Sequence, residues 1–335
     1  MASYLSNRKQ CIQVGNFKSC LLNITKGVPQ GSILGPFLFC LYVNDIFQVI
    51  GGDIILFADD AAFFISAPSL QLLYARIRKL FVDLSNYLQS NKLIPNLIKS
   101  KLMYFSSRPC PATGLEVILF RGTEIEWVEE YRYLGLTITN KMSFALHIDS
   151  MSNKISQYIG VFYYLRKLLP LKVMFLLYNS LVLPHVTLHI ELWGAAPEVY
   201  LNKLAIKQNK VLRAILGVEV LNGRPAVQTI SMYRNFNVLT LRNVFKLQLF
   251  KLLISLLKGE MPMFYDLLLR PLVSSHSHST RGGHFRHPLV SCEVERRAVA
   301  NQLILCLDGL NIDIFIALSV KSATKNFKKV LLSEQ

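Results

Sequence analysis

Apolar and polar positions alternate or recur at helical spacing along most of the chain, and each change of period marks a part. Around Gln10–Leu22 the alternation predicts strands joined by a Gly15-Asn16 turn. Gly27–Pro36 then packs three glycines and two prolines into ten residues. Such a stretch makes a tight loop that lets backbone approach a ligand closely. The apolar run behind it predicts a helix over Leu34–Ile46, with Ser32 placed to cap it and Pro36 in its first turn. Next, Ile54–Phe57 and Ala61–Ile65 flank Asp59 and Asp60, a strand, tight turn and strand with acid at the tip. Leu73, Ile77, Leu80, Leu84 and Leu88 form one stripe of an amphipathic helix that Pro95 stops. Asn96–Phe105 leads into a strand. Leu115–Phe120 and Thr123–Val128 read as a hairpin around Arg121-Gly122, and Tyr131–Ile138 as another. Beyond Asp149 the period is helical, over Ile155–Leu169, Leu171–Leu183, Val199–Leu216 and Arg242–Leu257.

Composition adds a class of partner. The chain has 335 residues, 52% of them apolar, and a net charge of +16. That much apolar content excludes a disordered chain, and that much basic excess points to polyanions, either nucleic acid or an anionic membrane surface. The basic residues are also segregated. No carboxylate precedes Asp45, none lies between Asp149 and Glu191, and none lies within Val220–Gly259. Two uncharged stretches, Gly27–Asn44 and Val173–Ile190, are broken by proline, glycine or polar residues, so no stable membrane span is expected. Six cysteines (11, 20, 40, 110, 292 and 306) are scattered without a C-x-x-C and read as reduced core thiols of an intracellular protein. His276, His278, His284 and His287 crowd Ser274–Pro288, but their spacing matches no standard zinc site.

The residues at the acidic turn admit two readings. Adjacent carboxylates repel by about 4 kcal/mol at ~4 Å in an effective dielectric of about 20. An exposed turn in water tolerates that, and so does a site where a hard divalent cation takes the oxygens. The Gly27–Pro36 loop is open in the same way, between a substrate-contacting loop and an ordinary lead-in to a buried helix.

The order of four segments closes part of that gap. GVPQGSILGP, then FADD, then NLIKSKLMYF, then YRYLGLTI resembles the reverse transcriptases of LINE-type (non-LTR) retrotransposons, most closely the jockey-like branch. The resemblance implies an α+β fold: a partial right-hand polymerase palm of antiparallel sheet plus helices over 1–140, an all-helical thumb over 141–272, and a basic connector with a helical tail over 273–335. It implies two-metal nucleotidyl transfer with Mg²⁺ on Asp59, Asp60 beside it. Gln30 and Gly31 would line the pocket for templating base and incoming deoxynucleotide. Lys99 would stand near the leaving pyrophosphate, and Leu134 and Gly135 in the hairpin that grips the primer. Ser100 replaces the threonine usual in the family. The implied partners are an RNA template, a DNA primer or an RNA–DNA duplex. One departure is larger: the family holds its metals also with an aspartate upstream of the Gly-Val-Pro-Gln-Gly loop, where this sequence has no acid. The expectation is therefore a C-terminal part of such a domain, inactive on its own. A non-catalytic nucleic-acid-binding module is the alternative, and a basic membrane-associated protein a third reading.

Overall fold

The computed structural model describes residues 2–106, 114–217, 236–262, 297–307 and 318–334, together with residues 220, 221, 224, 225, 233, 264 and 268. The His276–His287 cluster, Cys110 and Cys292 lie outside them. Chain contacts divide the protein into two compact units, Met1–Val128 and Glu129–Gln335.

In the first unit a short helix α1 (Ala2–Leu5) precedes two small strand pairs. β1 (Lys9–Gln10) pairs with β4 (Leu22–Asn23), and β2 (Gln13–Val14) with β3 (Phe17–Lys18) across the Gly15-Asn16 turn. The helix expected over Leu34–Ile46 is two helices, α2 (Leu34–Val43) and α3 (Ile46–Val49). Asn44 and Asp45, both weak helix formers, divide them. The Asn44 N–H turns back to the Leu41 carbonyl at 3.5 Å, and the Asp45 carboxylate accepts a 2.6 Å bond from the Tyr87 hydroxyl. β5 (Asp53–Phe57) and β6 (Asp60–Phe64) form the expected hairpin, in register from Asp53 opposite Phe64 to Phe57 opposite Asp60.

α4 (Leu70–Ser90) is the long helix of this unit. Ser69 caps it by accepting from the Leu72 N–H, and it ends at Asn91-Lys92, Lys92 being left-handed, ahead of Pro95. Its apolar stripe buries Tyr74, Ile77, Leu80 and Tyr87 against Ile46, Ile50 and Ile118. β7 (Ile118–Phe120) and β8 (Thr123–Ile125) turn at Arg121-Gly122, both with positive φ (50° and 80°), the backbone of a type I′ hairpin. The Phe120 ring meets Phe81 of α4 edge to face at 5.1 Å. Of the strand expected after Asn96, only Leu102 pairs, bridging to Trp127 in parallel. All strand pairing among the described residues is two-stranded, so the antiparallel structure consists of separate small sheets.

The second unit opens with β9 (Glu130–Tyr133) and β10 (Leu136–Thr139), followed by α5 (Ala145–Leu165), α6 (Leu171–Leu181), α7 (Leu183–Thr187), α8 (Ile190–Trp193) and α9 (Glu198–Leu216). Then come α10 (Leu241–Leu257), α11 (Val299–Leu307) and α12 (Val320–Glu334). Helices thus fill the positions that the 3.6-residue period marked, although α5 begins ten residues earlier than expected. Ile148, Ile155 and Phe162 of α5 meet Leu204, Val211 and Leu212 of α9 in one core that includes Tyr178, Val186 and Trp193. Phe250 of α10 stacks on Phe327 of α12 at 4.1 Å, and Asn243 donates to the Leu331 carbonyl, so the two helices run antiparallel. Gln208 is the fully buried polar group of this core, held by the Tyr178 hydroxyl at 2.8 Å and the Leu239 carbonyl.

Candidate functional site

The β5–β6 turn is two residues long, Ala58-Asp59, with Ala58 at φ 52°. An alanine in the left-handed region costs roughly 1 kcal/mol. This tight turn leaves both carboxylates exposed at the tip: Asp59 in the turn, and Asp60 opening β6 opposite Phe57. The alternation of the hairpin turns Ile54, Leu56 and Phe63 toward α3 and α4. Ile55, Phe57 and Phe64 face outward and are each more than half exposed.

The two other nearby acids do not join the tip. Asp45 is engaged by Tyr87. Asp53 lies four residues before Phe57, about 13 Å along the strand at ~3.3 Å per residue. Among the described residues no group of three His, Cys, Asp or Glu side chains could hold a metal ion. A Mg²⁺ pair needs more oxygen ligands than two vicinal carboxylates provide. The donor set of the described residues therefore does not fit a complete two-metal site.

Gln30 and Gly31 sit in an exposed turn, Gly31 at φ 81°. Ser32 fixes the turn to the helix behind it: its Oγ donates to the Pro29 carbonyl at 2.6 Å and accepts from the Gly35 N–H at 3.1 Å. Ser32 thus bonds the N–H of the second residue of α2, but the N-cap position itself falls to Ile33, which makes no side-chain cap bond. Gly35 is buried, and a β-carbon there would lie 2.9 Å from the Ser32 Oγ. Lys99 is exposed in a turn of its own, shaped by Asn96, whose side-chain oxygen accepts from the Lys99 N–H and whose carbonyl accepts from Ser100. The acidic stretch near it is a surface of ion pairs, with Glu116 on Arg78 at 2.5 Å and Glu126 on Lys101 at 2.6 Å.

Leu134 and Gly135 form the turn of the β9–β10 hairpin, at φ 47° and 88°. This turn is seated on the helices of the second unit. The Leu134 carbonyl is 3.0 Å from Nε2 of His189, and a β-carbon on Gly135 would be 3.3 Å from the Leu188 side chain. His189 reaches it by standing left-handed (φ 54°) between α7 and α8. One strand further in, the Thr137 N–H donates to Nδ1 of buried His147 at 3.3 Å. Burial, then the nearby His189, Arg132 and Lys154 charges, push the His147 pKa down to about 4. These two histidines were not singled out from the sequence, since a histidine in an apolar stretch gives no signal of what it touches.

The aromatics among the basic residues divide. Phe162 and Tyr178 are core, whereas Tyr163 and Tyr164 are exposed, with the Arg166 guanidinium 5.0 Å from the Tyr163 ring centre. Cys20 and Cys40 are exposed and Cys11 half-buried, all free, so these three are not core thiols as expected: Cys11 and Cys20 lie among small strand pairs with too little structure over them to bury a thiol, and Cys40 is on an exposed position of α2. No helix among the described residues is long and apolar enough to cross a membrane.

Residues 2–138 match the family model for reverse transcriptase (RNA-dependent DNA polymerase). This segment belongs to the reverse transcriptase family. Over 228 residues the chain is 27% identical to the RNA-directed DNA polymerase from mobile element jockey of Drosophila melanogaster, covering 64% of this chain and 24% of that protein. It is 25% identical over 229 residues to a probable RNA-directed DNA polymerase from transposon X-element of the same fly, covering 65% and 25%. A Pol polyprotein from type-1 retrotransposable element R1 of Bradysia coprophila is 28% identical over 172 residues, covering 47% and 16%. The homologues are thus reverse transcriptases of non-LTR retrotransposons. The chain spans about a quarter of the length of the jockey and X-element relatives. No solved structure matches it.

Proposed function

We propose that the chain supplies part of an RNA-directed DNA polymerase centre: palm elements over 1–140 and a thumb over 141–272. The observation that carries this is the β5–β6 hairpin, which holds Asp59 and Asp60 together at an exposed tip within the segment matched to the family. In this reading Asp59 is a Mg²⁺ ligand and Asp60 its neighbour. Gln30 and Gly31 face the template base and deoxynucleotide, Lys99 the departing pyrophosphate, and Leu134-Gly135 the primer end. Template and primer are RNA and DNA, held as a duplex by the acid-free helical faces. Mg²⁺ would supply charge neutralisation at the reacting phosphate. The described residues give such ions two vicinal carboxylates, so no catalytic step is assigned to these 335 residues alone.

Primer extension tests the reading. The chain by itself is expected to extend no DNA primer on an RNA template with Mg²⁺ or Mn²⁺, because an incomplete ligand set forfeits many orders of magnitude in rate. Fusion to an upstream family segment bearing the further aspartate is expected to give extension that Asp59→Ala abolishes. Extension by the unfused chain, lost on Asp59→Ala, would show that it holds a complete ligand set. The alternative is a nucleic-acid-binding module without chemistry. It is favoured by the same two-carboxylate donor set, and a fused protein that binds duplex but never extends would establish it.

A further inference from the structure

The end of α5 presents exposed aromatic rings among basic residues. Val161 and Tyr164 stand three apart on one face of α5, and Leu168 follows in the turn after the helix; they are 44%, 67% and 63% exposed. A helix of a packed unit normally turns such a stripe inward. Here the inward face of α5 is already supplied by Ile148, Met151, Ile155 and Phe162. One turn N-terminal to Tyr164, on the same face of α5, stands position 160. That position is Gly160, and nothing stands within 4 Å of where its β-carbon would be. The tyrosine ring therefore has an open shelf beside it. Beside the stripe, Tyr163 is 43% exposed and carries the Arg166 guanidinium 5.0 Å from its ring centre. Lys167 and Lys172 are exposed nearby in sequence, in the stretch from Asp149 to Glu191 that has no carboxylate.

We infer that this patch binds unpaired nucleotides of a single-stranded nucleic acid, with a base stacked on Tyr164 and phosphates on Arg166, Lys167 and Lys172. Each half of the patch selects against other occupants. A duplex hides the faces of its bases, so it has no use for an open tyrosine. A protein partner suited to the basic rim would be acidic and would leave the flat ring unmatched. Unpaired nucleotides offer an aromatic face and a negative backbone within one residue of each other, which is the combination that stacking platforms with basic grooves exploit. The inference goes beyond the polymerase reading, because it concerns single strands and needs no metal.

The test is fluorescence anisotropy on the full chain with three labelled probes: a 12-nucleotide oligothymidylate, an abasic strand of the same length, and a blunt duplex. Wild type is expected to prefer oligothymidylate to the abasic strand. Tyr164→Ala is expected to weaken oligothymidylate binding about 5- to 100-fold, as loss of one stacked base does, and to change abasic and duplex binding less than about 2-fold. Tyr164→Trp should restore the preference and Tyr164→Leu should not. Because Tyr164 is exposed, circular dichroism and the melt of each variant should match wild type. Equal wild-type affinity for oligothymidylate and the abasic strand, an unchanged Tyr164→Ala, or a fully competent Tyr164→Leu would overturn the assignment. Retained duplex binding in those cases would leave the polymerase reading standing. Failure of the wild type to bind any of the three probes would remove both.

Discussion

At the scale of single residues, His147 ties pH to the fold of the second unit. Its Nδ1 accepts the Thr137 N–H, so the folded state requires a neutral ring, and burial lowers its pKa to about 4. In the unfolded chain the ring titrates near 6.5. Above that value both states are neutral and the contact is intact. Between pH 6.5 and 4 the unfolded chain binds the proton and the folded one does not, so stability falls as pH falls. Solvent screening of the Arg132 and Lys154 charges trims the loss to about 2 kcal/mol. Denaturant melts of the second unit at pH 7.5 and 4.5 should show it, and His147→Gln should remove that part of the pH dependence. A wild-type and variant pair that fall in parallel would exclude His147 as the source.

At the scale of elements, the β9–β10 hairpin shows what the sequence made legible and what it did not. Tyr131–Ile138 announced a hairpin because alternation and a glycine at the turn are local signals, and Arg121-Gly122 announced another in the same way. That the Leu134-Gly135 turn would rest on His189 and Leu188, some 55 residues on, is a tertiary fact that no local period carries. The same holds for Asp45. The expected helix ran unbroken through it, and the partner that holds its side chain is Tyr87, on the far side of a loop and a hairpin. The carboxylate pair at Asp59 was legible because two apolar runs framed it. Its ligand count was not, because metal sites are assembled from distant segments. Gly135→Ala tests the docking of the hairpin. A β-carbon there meets Leu188 at 3.3 Å, and φ 88° is strained for any L side chain. The variant should lose roughly 1–3 kcal/mol in a denaturant melt, more than Gly→Ala at the solvent-facing Gly122, where nothing stands within 4 Å. Equal losses would mean that backbone strain alone accounts for the effect and that Leu188 gives way.

At the scale of the whole molecule, the two units differ in how completely they cover their apolar residues. The second has a continuous core that runs from Leu136 through α5, α9 and α10 to Leu331. Among the described residues, the first divides its buried residues between two small clusters around α4, and its strands occur only in pairs with open edges. Phe17, Ile33 and Leu41 are 85%, 95% and 63% exposed, and the outward face of β5–β6 adds Ile55, Phe57 and Phe64. Open strand edges beside exposed apolar faces template association between chains. The net charge of +16 opposes that association at low salt, but screening shortens its reach to about 8 Å at physiological ionic strength. The isolated chain should therefore bind a hydrophobic dye in its native state and sediment as mixed oligomers, increasingly so as salt is raised. Ile55→Thr with Phe64→Thr should reduce both effects. The two positions share the outward face of the hairpin, threonine keeps the β preference, and exposed sites of this kind shift stability by less than about 0.5 kcal/mol. A wild-type chain that sediments as a single species at every salt concentration and leaves the dye dark would show that these faces are covered in solution.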